Sequence, residues 1–325
     1  MKHSSNNGMP LKTVLITGGA GGVGATVSRK LASVGHSVRI FDLPTGVNKK
    51  TFPAPEQNIE LFWGDITDPA NAREAMKDVG EVIHLAALIV PATEKNPALA
   101  KKVNVDGTRV IAEAATSESE RSGRAITLRF SSSATVFGPT NTETPPIRPD
   151  HPVNPTDNYT ETKVKAEEII RNSGLPWTIY RFAAAQYLSI RKGNFSQMRI
   201  IPPDNRIEFV HIFDIADAFV NSVDNAETIG KTFILAGGPK CQMLYRDELL
   251  RTFGLLGFPA PNWKKFTDKP FNLDWYDTSE AQRILRFQSR TFDDYLKDFR
   301  AGLGFQYPLL RYLAAPAMQL LRIHL

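Results

Sequence analysis

The stretch Thr17-Gly18-Gly19-Ala20-Gly21-Gly22-Val23-Gly24 constrains this chain more than any other. It follows an apolar run, Lys12–Thr17, that reads as a buried strand. It opens a helical pattern in which Val23, Val27, Leu31 and Val34 recur at helical spacing before Gly35 stops it. Glycines at G-x-x-G-x-x-G spacing allow positive φ and let the backbone come close to a ligand. The first turn of the helix then presents free N–H groups and a positive dipole end, which suit a pyrophosphate. A glycine-rich stretch alone is weak evidence, but the strand before it and the helix after it supply the context a dinucleotide site needs.

The same alternation continues. Ser37–Asp42, Ile59–Phe62, Glu81–Ala86, Ala125–Ser131 and Trp177–Phe182 read as strands. Helical stretches lie near Pro69–Asp78, Pro97–Thr116 and Asp157–Ser173. Such alternation predicts an α/β, Rossmann-type, doubly wound parallel sheet covered on both faces. After about residue 182 the pattern turns irregular, punctuated by Pro202–Pro203, Gly237–Gly238–Pro239 and Pro259–Pro261. The expected organisation is a flexible lead over 1–10, a dinucleotide-binding domain over 11–182, a smaller substrate lobe over 183–303 and a tail over 304–325. Part of 207–240 is expected to return to the first domain.

Asp42 closes the second strand, 18 positions after Gly24. A carboxylate there accepts hydrogen bonds from both ribose hydroxyls and repels a 2′-phosphate, so NAD is expected rather than NADP. Arg39 or Lys49 folding back would soften that preference. Asp68 before Pro69 is a good helix cap. His84 lies inside an apolar run and is read as a buried structural residue rather than a base.

Tyr159 and Lys163 stand four apart at the start of a helical stretch, which puts them on one face. A free tyrosine titrates at about 10, and a lysine ammonium one turn away favours its phenolate. Ser131, Ser132 and Ser133 end the preceding strand, where a hydroxyl faces the crevice. There it can hold a substrate alcohol or carbonyl beside the tyrosine.

With these residues in view, the chain resembles the extended short-chain dehydrogenase/reductases, in the superfamily of NAD-dependent sugar epimerases and dehydratases. The matching motifs are TGGAGGVG at 17–24, GDITD at 64–68, HLAA at 84–87, NVDGT at 104–108, SSSATVFG at 131–138 and YTETK at 159–163. Their order and spacing agree over about residues 11–182, and a weaker similarity continues in FVHIFDIADA at 209–218. The resemblance implies roles. Gly18, Gly21, Gly22, Val23 and Gly24 line the pyrophosphate. Asp65 and Ile66 sit at the adenine, and Leu85, Ala86 and Ala87 flank the phosphates and ribose. Ser131, Phe182 and Ala184 complete the cofactor's surroundings. Asn104 supports the lysine, Ser133 orients the substrate oxygen, Tyr159 moves the proton, and Lys163 holds the nicotinamide ribose. Ser132 and Thr135 stand as substitutes for Ser133.

The chain departs from the sugar-nucleotide epimerases at two positions. An asparagine they carry after the sixth strand is Ala184 here, and an arginine they carry before the 209–212 stretch is Ile207, with Arg206 one position off. Each loss removes a charge-assisted hydrogen bond to the nucleotide diphosphate, worth about 1.5–3 kcal/mol. Arg191 and Arg206 remain as candidate anion contacts.

The expected activity is therefore hydride transfer between NAD and a secondary alcohol or ketone. A UDP-sugar 4-epimerase using bound NAD and a non-catalytic NAD-binding protein stand as alternatives. The net charge of +5 suits an anionic small molecule but shows no Lys/Arg cluster for nucleic acid. The single cysteine, Cys241, forms no internal disulfide or structural zinc site, so no metal and a cytoplasmic location are expected. The tail, with Arg311, Arg322 and His324 among leucines, reads either as a terminal helix packed on its own domain or as a basic amphipathic segment that covers a partner subunit or lies on a membrane surface, as in the often membrane-associated 3β-hydroxysteroid dehydrogenase-like relatives. A homodimer is a family-level expectation.

Overall fold

The computed structural model describes residues 12–185, 195–309 and 311–313. The main sheet is built from β1 (Thr13–Thr17), β2 (Ser37–Asp42), β3 (Ile59–Trp63), β4 (Val79–His84), β5 (Thr127–Ser133), β6 (Trp177–Phe182) and β9 (Lys231–Leu235). Its order is β3-β2-β1-β4-β5-β6-β9, and all six pairings are parallel. The order reverses between β1 and β4, so a crevice opens at their carboxyl ends, where ligands bind in such sheets.

Side chains alternate across the sheet, and the core splits accordingly. Val14 and Ile16 enter one cluster with Val27, Leu31 and Phe219; Leu15 enters the other with Val82, Ile111 and Leu128. Helix α1 (Gly22–Ser33) and a later helix covering Ile212–Ser222 close the first face. Helices α2 (Pro69–Met76), α3 (Gly107–Ser122) and α4 (Asn158–Arg171) close the second. Asp68 caps α2, accepting from the Ala70 N–H with Pro69 in the first turn.

Two strand ends differ from expectation, and both matter to the site. β4 stops at His84 rather than Ala86, because the Ala86 N–H turns to the Thr17 hydroxyl at 3.3 Å. β5 runs on to Ser133, because Ser131–Ser133 pair with Tyr180–Phe182. The stretch expected as one helix from Pro97 is broken by a π-turn over Lys102–Asp106, a local widening that often accompanies functional sites.

The smaller sheet joins β7 (Ala184–Ala185), β8 (Arg206–Val210) and β10 (Gln242–Leu244) in the order β10-β8-β7. Naming the later helices in chain order, α5 is Ile212–Ser222, α6 is Tyr245–Leu256 and α7 is Phe292–Leu303. Phe209, Phe292, Tyr295 and Phe299 pack α7 on this sheet. Beyond α7, Tyr307 is buried while Phe305, Leu309, Tyr312 and Leu313 are exposed. No helix among the described residues is long and apolar enough to cross a membrane.

Candidate active site

The crevice begins at the glycine loop. Gly18 has φ of +68°, and a Cβ there would lie 2.8 Å from the Ala86 backbone. At Gly24 a Cβ would lie 2.1 Å from the Gly18 carbonyl oxygen. Neither position accepts a side chain, so strand, loop and helix pack backbone to backbone. The first-turn amides of α1 have no intrahelical acceptor, and no acidic residue lies in that turn to occupy them. The Gly21 N–H is taken by the Gly18 carbonyl at 3.1 Å, so the amides open to an anion are those of the first turn, Gly22 and Val23 among them.

Asp42 sits beside this cradle. One carboxylate oxygen accepts from the Ala20 N–H at 3.0 Å and the other from the Leu43 N–H at 2.8 Å. Burial raises its pKa, and these bonds with Asn48 work against that rise. Two oxygens offer about four acceptor sites, so lone pairs remain for ribose hydroxyls. Arg39 does not fold back toward it: its guanidinium binds Glu60 and the carbonyls of Ala75 and Lys77. Asp65 uses one oxygen on the Thr67 N–H and hydroxyl, which shapes the turn that leaves Ile66 buried. Leu85, Ala86 and Ala87 are partly exposed across from the loop.

A hydrogen-bond chain runs from β1 to α4. Its direction follows from the donors. The Thr108 hydroxyl donates to the Asn104 carbonyl at 2.6 Å, so it accepts from His84 Nε2–H at 2.9 Å. His84 Nδ1 then accepts from the Thr17 hydroxyl at 2.6 Å. Burial first, and then the Lys163 charge, push His84 down to about 3, so the ring is neutral. Asn104 Nδ2 donates to Thr162, whose hydroxyl donates to the Tyr159 carbonyl at 2.8 Å. The Asn104 amide also clamps the backbone of Leu88 through both its atoms. Asn104 therefore positions Leu88 and Thr162 and makes no hydrogen bond to Lys163, a correction to its expected role.

Lys163 is buried between β5 and α4. Its Nζ donates to the Ser131 carbonyl at 2.8 Å and lies 4.9 Å from the Phe130 ring centre and 5.9 Å from that of Tyr159. Burial pushes it down to about 8, and the Glu167 charge pulls the other way. Tyr159 is half-buried at the start of α4, where Glu94 accepts from its backbone N–H at 3.3 Å and from Asn158 at 2.8 Å. That carboxylate stands at the positive end of α4.

Strand alternation sorts the serines. Ser131 and Ser133 share one face and Ser132 takes the other. Ser131 donates to the His84 carbonyl at 3.1 Å. Ser133 Oγ and Thr135 Oγ1 lie 2.7 Å apart, and Ser133 caps the short helical turn over Ala134–Phe137. Ser132 is buried with its hydroxyl toward Glu167, without a hydrogen bond of full geometry. It is thus no substitute for Ser133, whereas Thr135 stands beside it. Phe182 lies at the carboxyl end of β6, partly buried.

The basic residues expected at the substrate are not gathered there. Arg206 forms a two-pronged pair with Asp274 at 2.5 and 2.8 Å and also donates to the carbonyls of Thr140 and Glu143. It fastens the lobe, which corrects its assignment as a free anion contact. Arg191 lies outside the described residues. Ala184 and Ile207 pack together in an apolar cluster with Tyr245 and Leu249, so neither offers a polar atom to a diphosphate.

One buried charge beside Lys163 belongs to none of the sequence motifs. Glu167, one turn after Lys163, accepts from Arg181 at 2.9 and 2.8 Å and from Arg171 at 3.0 Å. Its signal was the i,i+4 spacing that had already linked Tyr159 to Lys163.

The fold and this crevice define a Rossmann-type protein with a Ser-Tyr-Lys set at the sheet's carboxyl edge. The family model described as "NAD dependent epimerase/dehydratase family" matches residues 14–184, and the chain belongs to that family. It is 30% identical over 201 residues to a UDP-glucose 4-epimerase of Lactobacillus helveticus, covering 58% of each chain. It is 34% identical over 169 residues to a 3 beta-hydroxysteroid dehydrogenase/Delta 5-->4-isomerase of Mycobacterium tuberculosis, covering 49% of this chain and 42% of that one. The matches span about half the length of these curated relatives. Among solved structures, the epimerase Mth375 of Methanothermobacter thermautotrophicus aligns with a TM-score of 0.75 at 21% identity, over 93% of this chain and 95% of that one. At that identity the likeness is one of fold.

Proposed function

We propose that this protein is an NAD-dependent oxidoreductase acting on a secondary alcohol or its ketone. The observation that carries the reading is the Lys163 ammonium, anchored to the Ser131 carbonyl and set beside the Tyr159 ring. A buried cation there favours the phenolate, which makes Tyr159 a base near neutral pH. The glycine loop and the first turn of α1 hold the pyrophosphate, and Asp42 holds the adenosine ribose and disfavours a 2′-phosphate. NAD, when bound, supplies the hydride acceptor. Tyr159 takes the hydroxyl proton in oxidation and returns it in reduction, while Ser133 donates to the oxygen where charge develops.

Net redox turnover is preferred over epimerisation because Ala184 and Ile207 are packed in an apolar cluster where a nucleotide diphosphate would need polar contacts. The test is absorbance at 340 nm with NAD and a panel of secondary alcohols, sterols and UDP-sugars. A stoichiometric NADH signal with one substrate supports the reading. Conversion of a UDP-sugar to its epimer with no net NADH replaces it with the epimerase, and NAD binding without any turnover leaves a non-catalytic binder. Tyr159→Phe is expected to lower kcat by about 10²–10⁴-fold with NAD affinity retained; turnover unchanged in that variant removes Tyr159 from the chemistry.

A further inference from the structure

We propose that Glu167, clamped by Arg181, is the positioning residue that holds the Lys163 ammonium in its charged form and so sets the alkaline limit of Tyr159 chemistry. The inference rests on the reading of Tyr159 and Lys163 above and extends it to a residue with no place in the motif. Lys163 and Glu167 lie one turn apart on α4, and both are almost wholly buried. The Lys163 ammonium has a backbone carbonyl and the Phe130 ring as near neighbours. Those groups ease its burial without supplying a full negative charge. Glu167 supplies one, a turn along the same helix.

Glu167 is itself made dependable by its surroundings. Burial alone would raise its pKa, but the two-pronged Arg181 pair, the Arg171 contact and the Ser132 hydroxyl hold it below the usual range. Arg181 is fixed in turn by the Pro149 carbonyl at 3.0 Å and by the Phe137 ring, 4.8 Å below its guanidinium. The carboxylate thus stays ionised where a lone buried glutamate would take a proton.

The other titratable and charged groups around Lys163 do not replace this role. On α4 they are Tyr159 and Arg171, which is cationic; Glu161, Lys165 and Glu168 stand on the exposed face of the helix. On β6 the group is Arg181, also cationic. On β4 it is His84, held neutral. His151 stands behind Phe137 and pairs with Glu143. Glu94 serves the other end of the site, at the first turn of α4. Of these described groups, Glu167 is the anion whose field raises Lys163.

The experiment titrates Lys163 in the full chain by NMR of 13C-labelled lysine side chains, with the signal assigned through Lys163→Met. In Glu167→Gln the Lys163 midpoint is expected to fall by about one pH unit, a tenfold loss in proton affinity. Glu167→Asp, which keeps the charge at longer reach, is expected to fall in between. If Arg181 left unpaired prevents folding, Glu167→Gln with Arg181→Met removes both charges, and a smaller fall of the same sign is expected. An unchanged midpoint in any folded variant lacking the Glu167 carboxylate overturns the proposal. The titration needs no substrate, so it reads the charge coupling even where the assigned reaction fails. Once a substrate is in hand, the alkaline limb of kcat should move with the midpoint. A limb that stays put while the midpoint moves overturns the role of Glu167 in turnover.

Discussion

Two buried glutamates divide this molecule. Glu167, under the main sheet, has two arginines on its carboxylate and is held below the usual range. Glu248, on α6 of the smaller lobe, is buried with one oxygen unpartnered, and burial pushes it up to about 8. Tyr245 on its own helix and Tyr295 on α7 face it, and each is raised first by burial and then by its charge. Thr252, one turn on, also keeps an unpartnered hydroxyl. The same side chain at the same depth is thus an anion in one region and an acid in the other. What differs is whether the fold supplies a counter-charge. Beside Lys163 the fold fixes the carboxylate's charge, and at Glu248 it leaves it unsettled.

The sharpest break of this contrast is to strip Glu167 of its partner. Arg181→Met leaves a buried carboxylate with only Arg171 beside it and is expected to cost about 3–5 kcal/mol. Urea denaturation at pH 7 checks it. A cost below about 1 kcal/mol would mean that Arg171 alone satisfies Glu167, and the two glutamates would differ less than their surroundings imply.

The opposite operation on Glu248 has an effect that depends on pH. Its folded pKa, about 8, lies above the unfolded value, so the native state binds the extra proton between about pH 4.5 and 8. Stability then falls as pH rises through that window, by about 1.4 kcal/mol per pH unit where the difference is complete. Glu248→Gln removes this slope. Its Tm relative to the parent chain should rise steadily from pH 5 to pH 8. Parallel curves for the two proteins would show that Glu248 finds a partner in solution.

The contrast also explains how much could be read in advance. The nucleotide half is made of local signals: glycines that only a backbone contact explains, a carboxylate at a strand end, and tyrosine and lysine on one helical face. Each is complete within about ten residues. Ser132 was misjudged because its side depends on how far β5 runs, and that is decided by pairing with Tyr180–Phe182. Arg206 was misjudged because its partner, Asp274, lies 68 residues away with nothing local to announce it. In the lobe, β7 has two residues and β10 three, too short for any period to show. Asn104 stands in its motif, but its partners Leu88 and Thr162 come from other segments and only the fold brings them together.

The smallest expected effect tests whether the unsettled charge loosens the lobe alone. Cys241 is buried in the lobe, within the cluster that packs α7. Burial first, then the charges of Glu208, Asp214 and Asp294, push its thiol up to about 12. It is therefore almost wholly un-ionised in the native state, and a disulfide reagent reaches it only when the lobe opens. Raising pH from 7 to 9 ionises Glu248 and should favour that opening. Labelling in the parent chain should then accelerate beyond the rise that a free thiol shows over the same range. In Glu248→Gln the acceleration should match the free thiol, and the difference should amount to several-fold at pH 9. Amide exchange in β1 and β4 followed in the same samples separates local from global opening. If those strands lose protection together with Cys241, the lobe is not an independent unit, and the ionisation of Glu248 is felt across both sheets.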